Sequence, residues 1–560
     1  MSKKSNSKAS VSQASHLDDD EAKESWVPMI VIAMGQMLMS FNVAALPVSM
    51  GGMVASFDTP PTTVGTAIVM YSLGVSGFIM LGGKLGQRFG SKTFFQIAVA
   101  MFLAAMIMMV ASPTAVIMLA AQGLAGFAGA ALVPTLVVLI ANHYRGKQQA
   151  QAVGWLGSAR AIAGVLAFVT VGFLAAINWR LGFGLLIVHA AAILLLSFKL
   201  KPSAGNPDVK IDFLGVLLSA TAIICITFGF NNLRNWGLLL ARDAAPFDLL
   251  GVSPAPILIV IGLVIGTGFL VWTHRHAFGG GTPLLSLEVI DAPREWAAAA
   301  TLFVIVGTEA AINFSVPLYI QIVQGSSSMA TSIAMMPFML TVFFTAILIV
   351  RFYDRFSPRT IARTAFVLVA AGTLWLAFVV SNDWNVVPVI IGLITVGLGQ
   401  GALVTLLFNV LVTSAPKTLA ADVGSLRGVT QNLAAAVGTA LMGTLLVGLL
   451  ASMIHSNVID NPKISPEFKQ TELASQFDLN NINFIRNDQL KERLGQTAAS
   501  PEQVDEVVRI NSESRLRALK IGFVVLAGLS LLSIFPCSWL PGYTPGNVPG
   551  NAAPNSDKQK

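Results

Sequence analysis

Long runs of apolar residues, separated by short polar segments, repeat along almost the whole chain. Each run is about 20 residues long, which is the length of a helix that crosses a bilayer. The runs are solidly apolar rather than alternating, which favours helices over the strands of a membrane barrel. The pattern predicts fourteen helical spans, near residues 27–50, 64–82, 93–111, 114–141, 152–175, 181–199, 211–231, 251–273, 296–324, 329–350, 361–380, 386–412, 424–451 and 518–540.

Composition supports the same fold class. Of the 560 residues, 54% are hydrophobic and only 11% are charged, whereas soluble domains carry about 25% charged residues. The surplus apolar surface has to face lipid, and lipid offers the backbone no hydrogen-bond partners. The sequence therefore predicts an all-α integral membrane protein of the cell membrane.

Basic residues indicate the orientation of the spans, because cytoplasmic loops of membrane proteins are enriched in Lys and Arg. One alternating set of short loops carries fifteen of them, and the opposite set carries only Arg180, Arg234 and Arg242. With an even number of spans, both termini are expected in the cytoplasm. The basic set consists of Lys84, Arg88, Lys92, Arg145, Lys147, Lys199, Lys201, Lys210, Arg275, Arg294, Arg351, Arg355, Arg359, Arg363 and Lys417.

Three polar segments lie outside the spans. Residues 1–25 are predicted to form a disordered cytoplasmic tail, and 541–560 a second tail. Residues 452–516 form an extracytoplasmic insert, interpreted as a small cap or mobile loop because it has few apolar anchors for a catalytic domain. Within it, Ser500-Pro501-Glu502 predicts a helix start that runs on into the last span.

Two loops predicted on the cytoplasmic side resemble each other. Gly83 to Lys92 follows span 2, and Arg351 to Arg359 follows span 10. Aligning the two loops pairs Arg88 with Arg355 and Gln87 with Asp354. Duplicated halves are common in transporters, where the substrate site lies between them, although any short basic loop would look similar.

The loop after span 2 resembles the signature of the major facilitator superfamily, and the fourteen-span count resembles its drug–proton antiporter branch. Ala45-Leu46-Pro47, Asn178-Trp179-Arg180, the segment from Pro317 to Ser326 and Gly424-Ser425-Leu426-Arg427 also resemble that branch. The resemblance implies two pseudo-symmetric six-helix bundles, at 26–200 and 296–540, joined by two inserted helices at 201–275 and a cytoplasmic linker at 276–295.

The chain departs from this family at several functional positions. Gln87 stands where the family has an acid, and an apolar stretch around Leu38 and Met39 replaces an acid in span 1. Gln122 replaces an arginine in span 4, and Ala167-Phe168 replaces the Gly-Pro pair associated with antiport. These departures affect the expected route of proton coupling but not the expected fold.

Two ionisable residues are predicted at real depth in the spans, Arg160 in span 5 and Glu309 in span 9. A charge near the bilayer centre costs about 2.5–3.5 kcal/mol even on the lenient insertion scale, so it needs a partner or a function. Our hypothesis is that Glu309 exchanges a proton or binds a cationic substrate, with Arg160 as its partner or as an anchor for an anionic group. The alternative is a structural role, either as a fixed Glu309–Arg160 pair or with Arg160 capping backbone carbonyls.

Uncharged polar residues form a second group of candidates. By resemblance, spans 1, 4 and 9 line a cavity, so Gln36, Asn42, Gln122 and Asn313 are candidate substrate contacts. Hydrogen bonding between helices is the alternative for each of them. The candidate gating residues in the two basic loops are Gly83, Gln87, Arg88, Gly90, Asp354 and Arg355.

The leading functional hypothesis is a secondary exporter of amphiphilic or cationic drugs, dyes and biocides, driven by proton influx. No P-loop motif indicates direct use of ATP, no catalytic grouping or metal motif is visible, and no cofactor is expected. The expected partners are the substrate, protons and lipid, without nucleic acid, around a monomeric chain. The alternatives are a uniporter, a symporter, a lipid translocator or a non-transporting sensor on the same fold.

Overall fold

A computed structural model describes residues 25–542 except 60, 176, 243, 327, 383–385, 460, 462–463, 465–486 and 496–499. The predictions for the two tails and for the middle of the insert therefore fall outside the described residues.

Fifteen α-helices account for most of the described residues. We number them α1 Val27–Phe57, α2 Pro61–Phe89, α3 Ser91–Ala111, α4 Ala115–His143, α5 Gly146–Ala175, α6 Trp179–Ser197, α7 Phe213–Trp236, α8 Pro254–Phe278, α9 Pro293–Leu318, α10 Ser328–Leu348, α11 Pro358–Val379, α12 Val386–Ser414, α13 Ala420–Ile459, α14 Asn487–Gly495 and α15 Pro501–Leu532. A π-helical turn, Tyr319–Val323, continues α9, and a 3₁₀ segment, Ile349–Asp354, continues α10.

Fourteen of these helices, all except α14, are long and apolar enough to cross a membrane. The predicted number of spans is confirmed, but several helices are longer than the apolar runs. A helix keeps its backbone hydrogen bonds internal, so it continues into the polar surroundings at either end of the lipid. As predicted, the helix that starts after Ser500 enters the last span. The hydroxyl Oγ of Ser500 accepts a hydrogen bond from the Gln503 backbone N–H at 3.3 Å.

The spans form two bundles and an extra pair. Helices α1–α6 pack together in the first bundle, and α9–α13 with α15 form the second. The inserted helices α7 and α8 pack on each other, and α7 lies against α2 and α13, one helix from each bundle. The predicted fold class is confirmed. We call the end of the molecule that carries the fifteen basic loop residues named above the basic end.

The two bundles meet close to the basic end. Helix α13 packs on α2 and α4, and helix α5 packs on α10 and α12. The Ser158 hydroxyl in α5 donates to the Phe343 carbonyl in α10 at 2.9 Å. A Cβ on Gly83 in α2 would come within 2.6 Å of the Ser425 hydroxyl in α13. All four residues lie in the half of their helices that points to the basic end, so this conformation is closed there.

Candidate functional site

A carboxylate near the middle of the spans connects the two bundles. Glu309 in α9 accepts a hydrogen bond at Oε1 from Arg160 Nη2 in α5 at 3.4 Å. Its other oxygen, Oε2, accepts from Gln400 Nε2 in α12 at 2.8 Å. The Arg160 side chain is 37% exposed and that of Glu309 is 13% exposed. The structure therefore brings together the two charges that the sequence placed at similar depth.

Arg160 and Glu309 lie further from the starts of their helices than the apolar runs indicated. Arg160 is fourteen residues into α5 and Glu309 is sixteen residues into α9, which places them about 21 and 24 Å from the helix starts. The apolar runs gave smaller distances because they began after the helix starts. Each residue lies near the midpoint of its helix, where a lone charge is most costly.

A third buried charge, Arg427, was missed by sequence reasoning. It lies two turns into α13 and is only 3% exposed. Its guanidinium carbon lies 4.1 Å from the centroid of the Phe408 ring in α12. One turn away on α12, the Thr405 hydroxyl lies 3.5 Å from where a Cβ on Gly157 in α5 would be, three residues before Arg160. The sequence analysis counted only Arg160 and Glu309 as ionisable residues at depth and did not consider Arg427. The signal was present, because Arg427 follows Gly424 in an otherwise apolar span, but it was treated only as part of a family motif.

Several polar atoms around these charges are buried without a hydrogen-bond partner among the described residues. They are Gln400 Oε1, Asn313 Oδ1, Thr405 Oγ1, Gln431 Nε2 and Arg427 Nε. Asn313 lies one turn beyond Glu309, and Gln431 lies one turn beyond Arg427. A buried polar atom without a partner costs about 1–3 kcal/mol, so such a group is typical of a site that water or a ligand completes.

The other predicted substrate contacts lie within the first bundle. Asn42 Nδ2 donates to Gln122 Oε1 at 2.9 Å, and Gln122 Nε2 donates back to Asn42 Oδ1 at 3.3 Å. Both side chains are fully buried. Gln36 donates to Ser40, one turn further along α1. In this conformation the two amides of the reciprocal pair bind each other, and a role in substrate contact stays a prediction.

A buried ion pair joins the bundles at the basic end. Lys84 Nζ in α2 lies 3.0 Å from Asp422 Oδ1 in α13, with side chains 9% and 3% exposed. Asp422 also accepts from Gln87 Nε2 and from the Ser286 backbone N–H, each at 3.4 Å. Asp422 is a second residue that sequence reasoning missed, because it precedes the predicted start of span 13.

A second ion pair also joins the bundles at this end. Lys147 Nζ at the start of α5 lies 2.9 Å from Asp354 Oδ1 after α10, with side chains 61% and 46% exposed. In both pairs the base belongs to the first bundle and the acid to the second. Asp354, predicted as a gating residue, thus contacts the opposite bundle.

The remaining gating candidates have different environments. Arg88 Nη1 donates to the Val209 carbonyl at 3.2 Å, in the segment before α7. Gly90 has φ +88°, and an added Cβ would clash with the Ser203 carbonyl, so glycine is required there. Arg355 is exposed. Gating by these residues stays a prediction.

Comparison with known proteins decides the family. The model of the Major Facilitator Superfamily matches residues 32–439, which is well over half of the chain. The chain belongs to the Major Facilitator Superfamily. Members of this superfamily transport solutes, so the protein is a multi-pass membrane transporter. Among the described residues, no group of His, Cys, Asp and Glu could hold a metal ion.

Relatives within the superfamily include exporters of drugs. The "Multidrug efflux pump LfrA" of Mycolicibacterium smegmatis is 24% identical over 456 residues, covering 80% of this chain and 85% of that protein. The "Probable actinorhodin transporter" of Streptomyces coelicolor is 26% identical over 419 residues, covering 73% and 69%. The crystal structure of the human organic anion transporter MFSD10 aligns with a TM-score of 0.54 and 12% identity, covering 91% of this chain and 99% of that one. At that identity the likeness shows the fold alone.

Proposed function

We propose that this protein is a secondary active exporter of amphiphilic small molecules, such as drugs, dyes and biocides, coupled to proton influx. Membership of the Major Facilitator Superfamily and the multidrug efflux relative support the export of drugs. Transport proceeds by rocking of the two bundles around a central site.

The observation that carries the coupling proposal is the position of Glu309 between the bundles. Its carboxylate accepts hydrogen bonds from Arg160 of the first bundle and from Gln400 of the second. Protonation removes the charge, which weakens the link to Arg160 and favours separation of the bundles at this level. Proton binding and bundle rocking are thereby linked.

Replacement of Glu309 by Gln tests this coupling. Glu309→Gln keeps the shape and a hydrogen-bonding amide but cannot bind or release a proton. We expect it to abolish proton-driven dye transport and substrate-induced pH change in the lumen of proteoliposomes. Glu288→Gln is the matched control, because Glu288 is exposed in a 3₁₀ segment outside the spans. Unchanged transport with an unchanged pH profile in Glu309→Gln would exclude Glu309 from coupling.

A uniporter or symporter on the same scaffold is the second candidate. Ala167-Phe168 stands where the antiporter branch carries a Gly-Pro pair, and Gln87 stands in place of an acid. The same vesicle assay separates the possibilities. An antiporter moves protons against the substrate, a symporter moves them with it, and a uniporter leaves the lumenal pH unchanged.

Orientation and chain organisation complete the proposal. The basic end faces the cytoplasm of a plasma membrane by the positive-inside rule, with both termini on that side. The division at residues 26–200, 201–275, 276–295 and 296–540, and a monomeric functional unit, are part of the same proposal. A cysteine introduced at exposed Lys199 should react with impermeant reagents only after the membrane is opened.

A further inference from the structure

The buried charges between the two bundles do not balance. Among the described residues, Glu309 is the partner of Arg160, and Asp422 is the partner of Lys84. Arg427 has no acidic partner in this set, and it is buried against Phe408 of α12, one turn from the Thr405 that lies beside Gly157 in the same helix as Arg160. The region around the central site therefore carries one excess positive charge.

An unpaired guanidinium inside a bilayer is costly, and its cost is only partly offset here. The Phe408 ring below Arg427 supplies a cation–π contact, but Arg427 Nε has no hydrogen-bond partner among the described residues. Such a charge is typical of a site that an anion completes.

Arg160 offers the contact point for that anion. Its side chain is more than a third exposed, and its one hydrogen bond to another described residue is the long one to Glu309. A guanidinium has five N–H donors in a planar fork that matches a carboxylate or sulfonate. Arg160 therefore has donors left for an anionic group, while Arg427 adds positive potential behind it.

We infer that the central site prefers amphiphilic substrates with an anionic group, bound at Arg160 and stabilised by the unpaired charge of Arg427. The inference rests on the proposed function and narrows its substrate class. The sequence alone left cationic and anionic compounds open, because it revealed one acid and one base. The buried positive charge of Arg427 favours the anionic compounds.

Two dyes with a common xanthene ring and opposite charge test the preference. Fluorescein is anionic at neutral pH, and tetramethylrhodamine ethyl ester is cationic. Binding of each dye to the purified full-length protein is measured by fluorescence anisotropy, and transport is measured in proteoliposomes. We expect fluorescein to bind about tenfold more tightly than the cationic dye, the ratio that a modest charge preference gives.

Variants of Arg427 assign the preference to its charge. Arg427→Gln should weaken fluorescein binding about tenfold and leave the cationic dye unchanged or bound more tightly, whereas Arg427→Lys should keep most of the preference. Arg275→Gln is the matched control, because it removes the same charge from an exposed position at the end of α8. A thermal unfolding curve shows whether each variant is folded. If Arg427→Gln is unstable, Arg427→Lys still tests whether a positive charge at this position maintains the preference for fluorescein.

The outcomes separate this inference from the proposed function. If the protein transports the cationic dye but not fluorescein, or if Arg427→Gln binds fluorescein as tightly as the unmodified protein, the inferred anion preference is wrong. The proposed export function would be unaffected by either result. Failure to bind or transport either dye would count against both. Displacement of fluorescein by equimolar inorganic phosphate would overturn the amphiphilic part of the inference, because phosphate has charge without an apolar body.

Discussion

Buried amides in this protein fall into two groups that have different physical consequences. Asn42 and Gln122 satisfy each other in a reciprocal pair, whereas Gln400 Oε1 and Asn313 Oδ1 have no partner among the described residues. The satisfied pair links α1 to α4 within one bundle. The unsatisfied oxygens lie on α9 and α12 around Glu309, at the site proposed for the substrate.

The reciprocal pair predicts a stability effect rather than a substrate effect. Asn42→Leu leaves the buried Gln122 Oε1 without its hydrogen-bond donor, which costs about 1–3 kcal/mol, so the melting temperature in detergent should fall. Asn42→Leu combined with Gln122→Leu should recover most of the loss. Gln36→Leu serves as control, because Gln36 donates only to Ser40 of its own helix. Weaker dye binding at an unchanged melting temperature would instead favour a substrate contact.

At the scale of one element, α2 has two adjacent glycines that serve different interfaces. A Cβ on Gly82 would clash with the Ala130 carbonyl of α4, in the same bundle. A Cβ on Gly83 would come within 2.6 Å of the Ser425 hydroxyl of α13, in the opposite bundle. One glycine therefore permits close packing inside a bundle, and the next permits closure between bundles.

Valine at each position should separate these two effects. Gly82→Val should lower the melting temperature, because overpacking inside a bundle typically costs about 1–3 kcal/mol. Gly83→Val should leave the bundles folded but widen the basic end. Distances between spin labels at Lys199 and Arg351, both exposed, measure the widening in a background without Cys225 and Cys537. Identical effects of the two substitutions would contradict this division.

For the whole molecule, the two ion pairs across the basic end differ in burial and hence in strength. Lys84 and Asp422 are buried, so removal of either leaves an uncompensated charge that costs about 3–5 kcal/mol. Lys147 and Asp354 are largely exposed, and such pairs contribute at most about 1 kcal/mol. Closure of the basic end is expected to depend mainly on the buried pair.

The same spin-label distance tests that expectation. Asp422→Asn should shift the distribution towards an open basic end, and Asp354→Asn should leave it almost unchanged. The exchange of Lys84→Asp with Asp422→Lys should restore much of the closed population, because the pair is re-formed with reversed polarity. A larger opening in Asp354→Asn than in Asp422→Asn would show that the more buried ion pair is not the one that contributes more to closure.

The apolar runs predicted the number of spans because backbone hydrogen bonding in lipid leaves few structural solutions. The helix start at Ser500 could also be predicted from the sequence, because capping depends on residues that are close together in the chain. Helix lengths were underestimated, as at Ile459 in α13, because a helix can extend beyond lipid without an apolar signal.

The sequence by itself determined that lipid surrounds most of this protein, that its spans are helical and that Arg160 and Glu309 lie at comparable depth. These properties follow from local composition and chain length. Only the tertiary structure decided which residues meet, since contacts such as Lys84 with Asp422 join positions more than three hundred residues apart. It also showed that Arg427 is buried without an acidic partner among the described residues. Hydropathy reports how apolar a segment is, whereas the balance of charge in a site depends on which helix faces are brought together.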